Sequence, residues 1–294
     1  MIDAIPQFRD AIRAAGLEPP DVIEPGKIHR FPGVGKQPGN TAGWCKFFDD
    51  GLGGCFGDWS SGLTENWQAK HNKPFSQSER ASLLRHIAVK KRRAAHERHQ
   101  KHNAAKVRAL LHWNGAIPAQ NSHPYLIRKG IKPHGARVHK DSLMLPVWSE
   151  EGICSLQFIG SDGSKRLLAG GRKKECFIPV AGITENPSRI VICEGWATGC
   201  TLAEDEPHAT VLAAIDAGNL KPVALVARRC WPSAELVIAG DDDRLTASNP
   251  GATKARAAAI ASGALLALPE WPEAAPNHLT DFNDLATWLA GSVA

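Results

Sequence analysis

The stretch RIVICEGWATG, residues 189–199, decides the fold class. After Arg189, the run Ile190 to Cys193 is apolar on both faces, as a strand covered by helices on both sides must be. Glu194 ends this RIVICE strand (189–194), Gly195 follows at once, and WATGCTLAED (196–205) has the composition of a helix. Downstream the same alternation repeats. ATVLAAI (209–215) precedes LKPVALVARRC (220–230), ELVIAGDDD (235–243) precedes ATKARAAAIASG (252–263), and ALLALP (264–269) precedes DFNDLATWLA (281–290). Buried strands that alternate with helices predict an α/β domain over residues 187–294, built on a Rossmann-like parallel sheet.

Acids stand at three places in that domain. Glu194 closes the first strand, Asp241, Asp242 and Asp243 close the third, and Asp281 and Asp284 lie at the mouth of the last helix. Strand ends of a parallel sheet gather at one edge, where ligands bind. Side chains two apart on a strand share a face, so Asp241 and Asp243 are expected together with Asp242 turned away. Converging carboxylates repel unless a divalent cation offsets their charge, and Mg²⁺ takes oxygen ligands of this kind. Taken singly, a Glu at a helix start or an Asp-rich turn is ordinary structural chemistry.

A strand ending in Glu194-Gly195, followed about fifty residues later by Asp241-Asp242-Asp243, resembles TOPRIM, the catalytic fold of DnaG-type primases, topoisomerases and some nucleases. The text Thr280-Asp281-Phe282-Asn283-Asp284-Leu285 and the EGWATG version of the first motif are most similar to primases of conjugative plasmids and phages. The resemblance implies that Glu194, Asp241 and Asp243 are catalytic. It also implies that Glu194, Asp241, Asp243 and Asp284 hold Mg²⁺ or Mn²⁺. Bacterial replicative primases carry an acid four residues after the Glu; here that position is Thr198, as in the mobile-element subfamily.

Upstream, residues 118–186 are expected to form a basic α+β subdomain that binds template. His123-Pro124-Tyr125-Leu126 and Lys129-Gly130-Ile131 resemble its opening helix and turn, and LMLPVW (143–148), CSLQFIG (154–160) and CFIPV (176–180) its strands. Lys165, Arg166, Arg172, Lys173 and Lys174 are cations expected on Gly-rich turns, placed to neutralise template or triphosphate phosphates. Residues 76–117 predict a basic helical linker. Between Ser76 and Trp113 ten Lys/Arg stand against two acids, more positive than the net +5 of the 294-residue chain. Lys90, Lys91, Arg92 and Arg93 concentrate that charge, which points to nucleic acid. His96, His99 and His102 repeat along it, as expected for a solvated cationic face.

Residues 1–75 predict a small β-rich domain from HRF (29–31), GWCKFF (43–48) and GCFGDWSSG (54–62). It occupies the zinc-ribbon position of bacterial primases, but Cys45 and Cys55 make no CxxC pair and only His29 or His71 could join them, so no zinc is expected. The aromatics Phe31, Trp44, Phe47, Phe56, Trp59 and Trp67 are expected mostly in that domain's core, with base stacking as the other use. Gly33-Val34-Gly35-Lys36-Gln37 fails as a P-loop, because Gln37 stands where Ser or Thr must reach Mg²⁺.

Seven scattered cysteines fit a reducing cytoplasm, and no signal peptide or membrane span is legible. The expected function is synthesis of short RNA primers on a single-stranded DNA template from ribonucleoside triphosphates. With no helicase segment after residue 294, a separately encoded replicative helicase is the expected partner for unwinding. A TOPRIM nuclease or topoisomerase is the alternative, weakened by Tyr125 being the only tyrosine and by the missing Walker motif. A non-catalytic single-stranded DNA-binding protein is the third reading, resting on the basic helix alone.

Overall fold

The structure, a computed structural model, describes residues 4–69, 77–182 and 185–292. Its contacts divide the chain into two units, Met1–Ile87 and Ala88–Ala294.

In the first unit, helix α1 (Ala4–Ala14) is followed by strands β1 (His29–Phe31), β2 (Gly43–Phe47), β3 (Gly53–Asp58) and β4 (Leu63–Gln68). They form an antiparallel sheet in the order β1-β2-β3-β4. Burial alternates along β2, with Cys45 and Phe47 inward and Trp44 and Lys46 outward. The inward residues join Phe8 and Ile12 of α1, Phe31 and Phe56 in one core, with Trp67 packed against it. Helix α1 is absent from the sequence expectation. Its cue is the i, i+4 pair Phe8 and Ile12, both fully buried. Cys45 lies opposite Phe56 and Cys55 opposite Lys46, so the two thiols point to opposite faces of the sheet. His71 lies outside the described residues.

Helix α2 (Gln77–Gly115) is continuous and crosses the division between the units. The second unit continues with β5 (Ile117–Pro118), α3 (Pro124–Lys129), β6 (Arg137–His139), β7 (Ser142–Ser149), β8 (Gly152–Ile159) and β9 (Lys165–Leu167). Its five short or hairpin-linked strands pair antiparallel in chain order. His123 caps α3 by accepting from the Tyr125 N–H, and Gly130 ends it in the left-handed conformation that glycine favours.

Next come β10 (Ile178–Ala181), β11 (Arg189–Cys193), α4 (Trp196–Asp205), β12 (Thr210–Ala213), α5 (Leu220–Cys230), β13 (Glu235–Ala239), α6 (Pro250–Ser262), β14 (Leu265–Ala267) and α7 (Phe282–Ser292). The sheet order is β10-β12-β11-β13-β14. β11 pairs in parallel with both β12 and β13, and β13 with β14. β10 pairs antiparallel with β12, so the sheet is mixed at that edge. Its text was grouped with the upstream strands in the sequence, and the structure joins it to both sheets. Phe177 and Trp148 exchange backbone bonds across them, and one core cluster holds Leu143, Leu145 and Val147 together with Ile178, Val191 and Val211.

Helix α4 approaches this sheet closely. A Cβ on Gly199 would stand 2.9 Å from Val180 Cγ2 and 3.1 Å from Cys193 Sγ. Trp196, Ala197, Thr198 and Cys200 are all buried, which fixes the strand–helix turn that carries Glu194.

Candidate active site

Glu194 leaves the C-terminal end of β11 and faces the loop after the neighbouring β13. The acidic run 241–243 differs from its expected form. β13 stops at Ala239, so Asp241, Asp242 and Asp243 are loop residues and strand alternation does not orient them. Asn249 does. Its side chain donates to Asp242 Oδ1 at 2.6 Å and accepts from the Asp243 N–H at 2.9 Å, while capping α6 through the Ala252 N–H at 3.2 Å. Asn249 sits in the left-handed region, φ 40°, which asparagine tolerates better than most residues. Asp242 is thereby turned away, and Trp271 Nε1 donates to its second oxygen at 2.9 Å. Asp243 Oδ2 accepts from the Gly251 N–H at 2.8 Å, at the first turn of α6.

Asp241 is the electrostatic centre. Burial, then Glu194, Asp281 and Asp243, push its carboxyl up to about 8, against a counter-pull from Lys165. Its Oδ1 is buried and has no hydrogen-bond partner. Burial likewise raises Glu194, opposed by a bond from the Ala217 backbone and reinforced by Asp216 and Asp243, with Lys254 pulling down. Asp281 is raised by burial and then by Asp284. Carboxylates that hold one another above their ordinary range are poised to take a cation.

The last helix separates its two acids. Asp281 Oδ1 caps α7 by accepting from the Asp284 N–H at 2.9 Å, and its charge is felt at Asp241. Asp284 pairs instead with Lys129 Nζ at 3.2 Å and accepts from the Thr280 N–H at 3.1 Å.

Lys165 comes from β9, and its ammonium lies 3.8 Å from where a Gly195 Cβ would stand. Lys165 and Arg166 are therefore strand residues, not turn residues as expected, and the strand sends them to opposite faces. Arg166 lies over the Phe158 ring at 4.4 Å. Lys173 pairs with Asp216 at 2.5 Å, in the segment that also bonds Glu194. Arg172 pairs with Glu175 at 2.9 Å, and Lys174 is exposed. Lys90, Lys91, Arg92 and Arg93 are exposed on α2, with Arg93 bonded to Glu97 at 2.9 Å. His99 and His102 line a cavity of about 270 Å³ with Lys106, Cys154 and Arg172.

Asp216, Lys254 and Asn249 are site neighbours that the sequence did not single out, and Lys129 was read there only as part of a helix end and turn. Asp216 carried a usable signal, since it directly follows the apolar run 209–215 as Glu194 follows its own strand.

The all-oxygen donor set suits Mg²⁺ or Mn²⁺. The unpartnered Asp241 Oδ1 is the kind of buried atom that a cation satisfies. Among the described residues no three His, Cys, Asp or Glu side chains already form a cage for an ion. The fit rests on the chemistry of the cluster and on Asp241. Among the described residues no helix is long and apolar enough to cross a membrane.

Residues 189–288 match the Toprim domain. Two curated relatives are Escherichia coli proteins named DNA primase TraC. One is 32% identical over 321 residues, covering 98% of this chain and 30% of the relative. The other is 33% identical over 280 residues, covering 90% of this chain and 19% of the relative. The chain thus spans about a third or less of the length of the relatives it matches. Among solved structures, the primase fragment of the bacteriophage T7 primase-helicase protein aligns with 90% of this chain and 97% of its own, at a TM-score of 0.43 and 12% identity.

Proposed function

We propose that this chain is a Toprim primase that joins ribonucleotides into short primers on single-stranded DNA. The observation that carries the proposal is the buried, unpartnered Asp241 oxygen at the centre of Glu194, Asp243 and Asp281, beside Lys165. The Toprim match and the primase relatives over nearly the whole chain support it.

In the reaction, the 3′-hydroxyl oxygen of one nucleotide forms a bond to the α-phosphorus of a second. The bond from that phosphorus to the β-phosphate bridging oxygen breaks, and pyrophosphate leaves. Asp241 and Asp243, with Glu194, would hold divalent cations, which would supply charge neutralisation for phosphoryl transfer. Glu194, whose carboxyl is raised above its ordinary range by burial, accepts the 3′-hydroxyl proton. Asp281 adds a fourth carboxylate to the cation's field. Asp284, already paired with Lys129, acts by holding α7 in place, although the family resemblance puts it among the ligands. Lys165 meets triphosphate charge beside the carboxylates. Arg172, Lys173 and Lys174 follow the strand along which template phosphates run, with Arg166 on the far face and the α2 cations extending the track. A replicative helicase supplies the single-stranded template.

Incubation of the protein with single-stranded DNA, Mg²⁺ and labelled ribonucleotides is expected to yield short template-dependent oligonucleotides. Asp241→Asn is expected to lower that yield by at least about a hundredfold, the scale on which one charge-stabilising group acts in a transition state. Unchanged synthesis by the variant would sink the proposal. Degraded template without primers would assign the same acids to a nuclease.

A further inference from the structure

The four-stranded sheet of the first unit has two unlike faces. One packs Phe31, Cys45, Phe47 and Phe56 against α1 and is fully accounted for as core. On the other, Arg30, Trp44, Gly57 and Thr64 stand side by side across β1 to β4. The next row holds Lys46, Cys55 and Asn66. No acid occupies either row.

Trp44 has a structural reason to be there. A Cβ on Gly57 would lie 3.1 Å from Trp44 Cε2, so the indole covers a glycine that the close approach of the Leu63 carbonyl requires. Trp59 has no such reason. It follows β3, stacks on Trp44 with ring centroids 5.5 Å apart and an interplanar angle of 30°, and leaves 65% of its surface exposed. An exposed indole held flat by a second indole costs apolar hydration that folding does not recover. The two rows of this face hold two cations, Arg30 and Lys46, and two small polar side chains, Thr64 and Asn66.

We propose that this face is a stacking platform for unpaired bases of single-stranded DNA. One base lies on the free face of Trp59. Thr64 and Asn66 present hydrogen-bonding groups, and Arg30 and Lys46 meet the phosphates. Every base offers a π-face, so the platform binds without sequence preference. Nothing in this proposal depends on the carboxylate cluster, and it stands or falls separately from primer synthesis.

The test is fluorescence anisotropy with the full chain, comparing labelled oligo-dT with an abasic oligonucleotide of equal length. Trp59→Ala is expected to weaken oligo-dT binding about tenfold and to leave abasic binding unchanged. Trp59→Phe is expected to keep most of the affinity, and circular dichroism checks that both variants fold. Lys46→Ala is expected to weaken both ligands alike and to flatten the salt dependence. Equal binding of oligo-dT by the parent and by Trp59→Ala overturns the platform. So does an equal loss on both oligonucleotides in Trp59→Ala, which would reduce the face to a phosphate contact.

Discussion

The Asp241 carboxyl, held near 8 chiefly by burial and then by Glu194, Asp281 and Asp243, makes the cation-free protein sensitive to pH. An unfolded aspartate titrates near 4, so between about pH 4 and about pH 8 the folded state keeps a proton that the unfolded chain has released. Stability from this group therefore falls as pH rises through that window. With a chelator present, the melting temperature is expected to decline from about pH 5 to about pH 8. Asp241→Asn is expected to flatten the decline and to melt roughly 2–8 °C higher than the parent at about pH 8. Added Mg²⁺ is expected to stabilise the parent more than the variant, since an ion that binds only the folded state stabilises it. A variant that melts lower than the parent at pH 8 without Mg²⁺ would show that Asp241 is not repelled by its neighbours. Glu194, Asp241 and Asp243 were legible in the sequence because each follows a buried strand. Which helix-capping acid faces the centre was not legible. Asp281 and Asp284 lie three apart, and only the Lys129 partner and the cap bond separate their roles.

Helix α6 shows how an element can position acids it does not contain. Its cap, Asn249, ties Asp242 and the Asp243 amide to the helix start. Loss of a cap costs about 1 kcal/mol, which Asn249→Ala is expected to show in denaturant midpoints. Primer synthesis is expected to fall by more than that destabilisation explains, because the loop between β13 and α6 loses its anchor. Asn249→Asp, which keeps the cap acceptor but not the donor to Asp242, separates the two roles. If Asn249→Ala lost stability and kept full activity, Asn249 would be a cap only. On α4, Gly199→Val is expected to cost about 1–3 kcal/mol, since Val180 and Cys193 leave no space for a side chain. The strand–helix alternation of this region was readable because strands buried on both faces leave unbroken apolar runs. The antiparallel direction of β10 was not readable, because an edge strand's text does not encode its partner's direction. The Asp run was read as the end of the ELVIAG strand, although Gly240 and the aspartates are themselves turn residues. The pairing stops at Ala239, and Asn249, six residues beyond Asp243, orients the acids that follow.

At the scale of the whole molecule, positive charge and carboxylate charge are separated along the chain. The net charge is only +5, yet the segment from Ser76 to Trp113 alone carries ten Lys/Arg against two acids. Within α2, residues 91–100 are exposed throughout, so this charge belongs to solvent or to a polyanion rather than to a core. Displacement of counterions makes the affinity for a single strand fall with salt by about 0.7 in logarithmic slope for each phosphate neutralised. Replacing Lys90, Lys91, Arg92 and Arg93 together by Ala is therefore expected to weaken oligo-dT binding and to reduce the slope of log affinity against log salt by up to about 3. Primer synthesis at saturating template is expected to stay near the parent rate, because the carboxylate cluster is untouched. The loss is expected to vanish at high salt, where the parent too has lost its electrostatic attraction. An unchanged slope would mean that α2 does not touch the strand, leaving the track to Lys165 and the cations that follow β9. A lower rate even at saturating template would instead assign these four cations to the chemistry, since binding alone is corrected by excess DNA.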